Sequence, residues 1–343
     1  MKYLFYTLLL VFSYSYSYAG SKDIQKIIEK YYTEGKLNGA ILVAKDGRVL
    51  CDTAVGWANK ELNFKATTET QFYAASITKT FTAVAIAQLV NQGKMRYQDF
   101  ITKYIPSLNS FAQEITIHQL LTHTSGIPDY ETEMPILGVN NNEKVLEWLN
   151  KENRLNFISG TQHKYCNSGF ILLAKAIEEV SGLSYEAYLQ QYVFKPSGMN
   201  RTDLYKGEEQ KGKQVAVGYD KTGKKDDFDL TTYGDTGLLT TIRDLYCYSN
   251  SLTKSEVLPI EQKGVMYTPV ELSNGKTANY GYGWRVEKQN KHDVVYHKGG
   301  LNGFKSILWR DLTDDTIIVI LTNYGDLLPT DALVKELYQA VQM

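Results

Sequence analysis

The spacing of apolar residues changes character along the chain. Ile24, Ile27, Ile28 and Tyr31 fall on one face of a helix predicted over Asp23 to Tyr32. Two strands follow, Gly39 to Ala44 and Arg48 to Trp57, joined at Asp46-Gly47, a dipeptide that favours a tight hairpin turn. Ser76 to Gln92 reads as a strong helix whose apolar stripe is Ala83, Ile86, Ala87 and Val90, with Gly93 as its stop. From about 96 to 230 helical pattern and loop dominate, and the clearest helix runs from Phe170 to Val180 before Gly182. Beyond about 275 the pattern turns to strands at Tyr282 to Glu287, Asp293 to Tyr296, Lys305 to Arg310 and Thr316 to Thr322. Leu328 to Val341 closes the chain as a helix. Strands at both ends around a helical middle predict an α/β fold. One antiparallel sheet would be built from both chain ends and flanked by helices, with a mainly helical domain inserted. The corresponding division is 20–95 plus 232–343 for the α/β domain and 96–231 for the helical one.

Composition narrows the function. The 343 residues carry 37 Lys+Arg against 38 Asp+Glu, and 43% are hydrophobic, which excludes a disordered or fibrous chain. A net charge of −1 argues against nucleic acid as a partner, since such proteins carry a strong basic excess. The N-terminus reads as an address. Lys2 precedes an apolar stretch from Leu4 to Phe12, and Ser17-Tyr18-Ala19 sets small residues before a cut ahead of Gly20. Residues 1–19 are therefore expected to be a secretory signal peptide and the protein to be exported. No apolar run reaches the ~20 residues that an integral membrane span needs. The odd cysteines Cys51, Cys166 and Cys247 cannot form a full disulfide framework, and buried free thiols are the better reading. No pair has metal-ligand spacing.

A secreted chain without a metal cluster or a Gly-rich phosphate loop invites a search for a nucleophile. Ser-x-x-Lys puts a lysine on the same helix face as a serine hydroxyl, which needs a neighbour to take its proton. The pattern occurs at Ser76/Lys79, Ser251/Lys254 and Ser273/Lys276. Ser273 sits in an Asn-Gly turn and Ser251 in a polar helix end. Only Ser76 opens a long apolar helix, where a desolvated Lys79 could act as a base. Its competing role is that of a helix N-cap. Tyr-x-Asn occurs as Tyr165/Asn167, exposed ahead of a helix, and as Tyr248/Asn250, better explained by packing. Lys221-Thr222-Gly223 reads as a solvated turn. His297-Lys298-Gly299 instead lies between two strands, with Gly299 and Gly300 permitting close backbone approach to a ligand.

In this order the residues resemble the serine β-lactamase and penicillin-binding-protein family, in its class C β-lactamase, D,D-carboxypeptidase and esterase branch. Ser76-x-x-Lys79 resembles the first motif, Tyr165-x-Asn167 the second, and His297-x-Gly299 the third, which is Lys-Thr-Gly in many members. Leu120-Leu-Thr-His-Thr-Ser-Gly-Ile-Pro-Asp129, Gly160-Thr161, Pro196-Ser-Gly-Met199, Gly237-Leu238 and Tyr280-Gly-Tyr-Gly-Trp284 are similar to the family's surrounding words. The likeness spans roughly Lys22 to the C-terminus and implies a β-lactamase/transpeptidase-like fold.

The resemblance also implies roles. Ser76 would be acylated while Lys79 and Tyr165 shuttle the proton, with the charge of Lys79 favouring tyrosinate. Asn167, His297 and Gly299 would bind substrate, and the backbone N–H groups of Ser76 and Gly300 would form the oxyanion hole. No metal or organic cofactor is implied. His297 in place of lysine, only partly charged near neutrality, and Lys298 in place of threonine make binding of a substrate carboxylate less assured. Cys166 replaces a common serine and is assigned no role. The expected activity is an exported serine hydrolase forming an acyl-enzyme on small-molecule or peptide substrates, namely D-amino-acid peptides, amides or esters. The alternatives are a class C-like β-lactamase and a penicillin-binding sensor that stays acylated. The loop from Glu131 to Asn142 is expected to line the pocket.

Overall fold

The apolar run Ile317–Leu321 forms the heart of a six-stranded antiparallel sheet. In the computed structural model, which describes residues 19–133, 141–207, 210, 215–226 and 230–343, the strand Thr316–Thr322 is buried along its whole length. It pairs with Phe304–Asp311 on one side and with Gly39–Lys45 on the other, so the two ends of the chain meet at the centre of the sheet. The full order is Arg285–Gln289, His292–Leu301, Phe304–Asp311, Thr316–Thr322, Gly39–Lys45, Arg48–Val55. The fold expected from the sequence is present. Residues 1–19, expected to be a signal peptide, lie outside the described residues apart from Ala19, which opens the first helix.

Both faces of the sheet are covered, and alternate side chains divide between two cores. Ile41 and Val43 point to the side covered by the helices Ala19–Thr33 and Thr330–Val341. Ala40, Leu42 and Ala44 point to the other, much larger core. The terminal helices are tied to one another by Lys30–Glu336 at 3.0 Å and by Tyr31, whose hydroxyl donates to Glu336 at 2.9 Å. Tyr338 anchors the last helix to the sheet by donating to Asp311 at 2.7 Å.

Several elements differ from the sequence reading. The second strand ends at Val55 because Gly56 takes φ +79, and Trp57–Asn59 turns away to pair with Phe64–Lys65. A Cβ at Gly56 would lie 1.8 Å from Oδ1 of Asn38, so no other residue fits this corner without displacing that amide. The helix Thr78–Asn91 is buried almost all round rather than along a stripe. Its polar residues are satisfied inside the core, as when Thr82 donates to the carbonyl of Gly234 at 2.6 Å. Finally, Tyr282–Trp284 stays outside the ladder, which begins at Arg285.

The cysteines Cys51, Cys166 and Cys247 are free thiols, the first two buried and the third half-buried. Burial pushes the Cys166 thiol up to about 12, and its sulfur packs against the carbonyls of Ile127 and Pro128. No helix among the described residues is long and apolar enough to cross a membrane.

Candidate active site

A sharp turn presents Ser76. The short strand Phe72–Tyr73 pairs with Leu238–Thr240 and leads into a 3-10 turn over Ala75–Ile77, from which the central helix departs. Ala75 is held at φ +47, an uncommon conformation for a non-glycine residue, and it is fully packed. The Ser76 hydroxyl caps neither the turn nor the helix. It faces a cleft of about 750 Å³ together with Tyr165, Asn167, Glu131, His297, Gly299 and Gly300.

Lys79 lies one turn on and is wholly buried. Its ammonium donates to Oγ of Ser76 at 3.1 Å, to Oδ1 of Asn167 at 2.6 Å and to the carbonyl of Asp235 at 2.8 Å. Burial lowers its pKa, while the carboxylates of Asp235, Glu131 and Asp129 push it back up. Lys79 Nζ also lies 5.0 Å from the centre of the Tyr165 ring, a cation-π arrangement. Burial raises the Tyr165 phenol well above its usual range, and the nearby Ser76 hydroxyl opposes that shift only in part. Tyr165 therefore rests as a phenol, not as the tyrosinate that the lysine was expected to induce.

Residues of the segment Leu120–Asp129 hold the second motif in place. His123, at φ +57, stacks at 4.2 Å on Tyr165, and its Nδ1 accepts from the backbone N–H of Cys166 at 3.1 Å. Oδ1 of Asp129 accepts from the N–H of Asn167 at 2.9 Å, at the start of the helix Asn167–Ser181. An acidic group at a helix N-terminus is favourable.

The third motif is inside a strand, not between two: His297, Gly299 and Gly300 all belong to His292–Leu301. His297 is 2% exposed. Its Nδ1 lies 2.7 Å from the carbonyl of Lys298, an arrangement that assigns the ring proton there. Nε2 then accepts from the hydroxyl of Tyr280 at 3.0 Å. Burial and the charge of Lys79 drive its pKa well below the ordinary value, so His297 is neutral rather than partly charged. The cations along this wall are instead Arg285, Lys298 and Lys305. Gly299 lines the cleft and is also required by packing. A Cβ there would sit 2.1 Å from the carbonyl of Ala74 and 2.3 Å from Oγ of Ser306, at the base of the nucleophile turn. Gly300 faces open space.

The repeated patterns resolve cleanly. Ser251 is fully buried, donating to the carbonyl of Tyr248 at 2.7 Å, and Tyr248 stacks on Phe81 at 3.9 Å in the core. Ser273 and Lys276 flank a solvent-exposed turn. Thr222 folds back on Asp220 at 2.6 Å in another turn. The sequence assigned no role to Glu131, Asp235, Arg285, Tyr280 or His123. Each stands in or beside one of the family-like words or in the loop expected to line the pocket, and that adjacency was the available signal. Positions 134–140 of that loop lie outside the described residues.

Two outcomes follow from this geometry. Gly299→Ala is expected to destabilise the fold by about 1–3 kcal/mol, the usual range for overpacking, and to slow acylation because the added methyl meets backbone beside Ser76. Urea unfolding and acylation rates measure both. The second outcome concerns pH. His123 and His297 are held neutral mainly by burial, with pKa values well below 6.5. Below pH 6.5 the unfolded chain binds protons that the folded chain refuses, so stability falls as pH falls, by up to about 1.4 kcal/mol per unit for each histidine. The melting temperature should decline from pH 6.5 to pH 5, with a shallower slope in His297→Asn.

Fold and site together define a serine hydrolase of the β-lactamase and penicillin-binding type. The Beta-lactamase family model matches residues 24–342, and the chain belongs to that family. It is 28% identical over 326 residues to penicillin-binding protein 4* of Bacillus subtilis strain 168, covering 88% of this chain and 71% of that protein. It is 29% identical over 317 residues to Protein flp of Staphylococcus aureus, covering 88% of this chain but only 63% of that longer protein. The octameric penicillin-binding protein homologue of Pyrococcus abyssi superposes with a TM-score of 0.82 at 29% identity, over 94% of this chain and 76% of that one.

Proposed function

We propose that the protein is an exported hydrolase that forms an acyl-enzyme on Ser76 and acts on D-amino-acid peptides, amides or esters. The observation that carries this reading is the bond from Lys79 to Ser76 at 3.1 Å within a desolvated network closed by Asn167 and Asp235. As a free amine, Lys79 has a lone pair in place of its third N–H and takes the serine proton. Oγ then bonds to the substrate carbonyl carbon, and the displaced electron pair moves to the carbonyl oxygen. The backbone N–H groups of Ser76 and Gly300 hold that oxyanion, a contribution of about 10²–10³ in rate for each donor. Tyr165, which lines the cleft beside Ser76, relays the proton to the leaving group as the tetrahedral adduct collapses. Water then enters along the same path, deprotonated through Tyr165 and Lys79, and releases the acid and Ser76. Asn167 orients the substrate amide, and the wall of His297 and Gly299 lies along it. Lys2, the apolar stretch Leu4 to Phe12 and the small residues before Gly20 support export.

The test is incubation of the protein with a fluorescent penicillin and with a short-chain ester, followed by mass spectrometry of the modified residue. An adduct on Ser76 is the expected result, and an adduct on Ser251 overturns the assignment. Rapid release of hydrolysed penicillin marks the β-lactamase alternative, and a single unreleased burst with no ester turnover marks the sensor.

A further inference from the structure

The cleft is electrically two-sided. Arg285, Lys298 and Lys305 line the strand wall, and Lys298 is already bound to Asp331 at 2.6 Å across the mouth. The helical wall carries Glu131, beside Ser76, Tyr165 and Asn167. Oδ1 of Asn167 is occupied by Lys79 at 2.6 Å, so what Asn167 can offer a ligand in the cleft it shares with Glu131 is its amide nitrogen. Among the described residues no arginine or lysine pairs with Glu131, whereas Glu133 next to it is held by Arg154 at 2.9 Å and Lys164 at 3.7 Å. Asp235 stands behind it, wholly buried, with Oδ2 taken by Tyr130 and Oδ1 without any partner. Glu131 stays open to solvent at the cleft, and partial desolvation with the charge of Asp235 pushes its carboxyl up to about 7. Burial raises the Asp235 carboxyl as well, so both acids lean towards the protonated form, and an ammonium bound beside Glu131 would favour its carboxylate.

A substrate's α-ammonium is two bonds from the carbonyl carbon that Ser76 attacks, so whatever binds it must neighbour the nucleophile. The cationic strand wall repels an ammonium, whereas the Asn167–Glu131 wall attracts one. We infer that Glu131 receives the free α-ammonium of the acyl residue, which selects amides, esters and peptides of amino acids with an unblocked amine over N-acylated ones. This inference rests on Ser76 being the acylated residue.

The experiment compares D-alanine p-nitroanilide with its N-acetyl derivative, each rate normalised to p-nitrophenyl acetate hydrolysis by the same variant. Wild type should prefer the free amine by about tenfold to a hundredfold in kcat/KM, the range of a charge-assisted hydrogen bond. Glu131→Gln should lower that preference at least tenfold, and Glu131→Asp should restore part of it. A wild type that prefers the N-acetyl derivative, or cleaves neither anilide, overturns the inference. So does a Glu131→Gln variant whose preference is unchanged. If p-nitrophenyl acetate hydrolysis is lost in Ser76→Ala, such a failure belongs to the ammonium alone. If it survives in Ser76→Ala, the acyl-enzyme reading fails and this inference goes with it.

Discussion

Ser76→Ala should lose both turnover and covalent labelling, with kcat reduced by about 10⁴-fold or more, the scale on which removal of a nucleophile acts in other acyl-transfer enzymes. The fold should survive. The side chain caps nothing, and the one group that donates to it, Lys79, keeps two further acceptors in Asn167 and Asp235. Ser251→Ala is the matched control, because that hydroxyl is sealed in the core against Tyr248 and Ser197 and no acylating reagent reaches it. Labelling with a fluorescent penicillin, read beside ester hydrolysis, checks both variants. Labelling retained in Ser76→Ala would sink the assignment.

Lys79→Met should lower the acylation rate by about 10²–10⁴-fold, the range of a positioned proton acceptor. It should also cost stability. The methionine fills the volume but leaves Oδ1 of Asn167 and the carbonyl of Asp235 buried without a donor, at about 1–3 kcal/mol for each. The decisive readout is the pH profile. A lysine that accepts the serine proton must first lose its own, so acylation rises as pH climbs through its pKa. Burial moves that limb below the ordinary 10.5. The limb should vanish in Lys79→Met. A parallel loss at every pH, with the limb intact, would assign the proton transfer elsewhere.

Most of the sheet was legible because hydrophobic pattern is a local property, as in the run Ile317–Leu321. The clustering of Ser76, Lys79, Tyr165, Asn167 and His297 was legible for a similar reason: each motif is short, and its flanking residues exclude the copies. What stayed hidden depends on contacts between distant segments. Gly299 was read for its place at the cleft, but nothing local announced that a Cβ there would meet the carbonyl of Ala74, far away in sequence. The stripe read into the helix Thr78–Asn91 presumed a solvent-facing side that the fold does not leave. His297 was given a partial charge on the strength of its residue type, and enclosure by Tyr280 and the backbone of Lys298 removes it. Glu131 and Asp235 belong to no spacing rule at all. Their chemistry arises from standing near Lys79, Asp235 wholly buried and Glu131 at the cleft, a circumstance created only when the helical segment closes over the central helix.

The central pairing Gly39–Lys45 with Thr316–Thr322 sets an order of assembly. A ribosome completes nearly the whole polypeptide before the partner of its first strand exists. Until then Gly39–Lys45 has only Arg48–Val55 beside it, a two-stranded hairpin that is marginal in water and open along one edge. Loop closure over such a separation is entropically costly, so this pairing is expected among the late steps of folding. A chain truncated before Thr316 would keep every residue of the first two motifs, but the scaffold that faces them with His297 would stay unclosed.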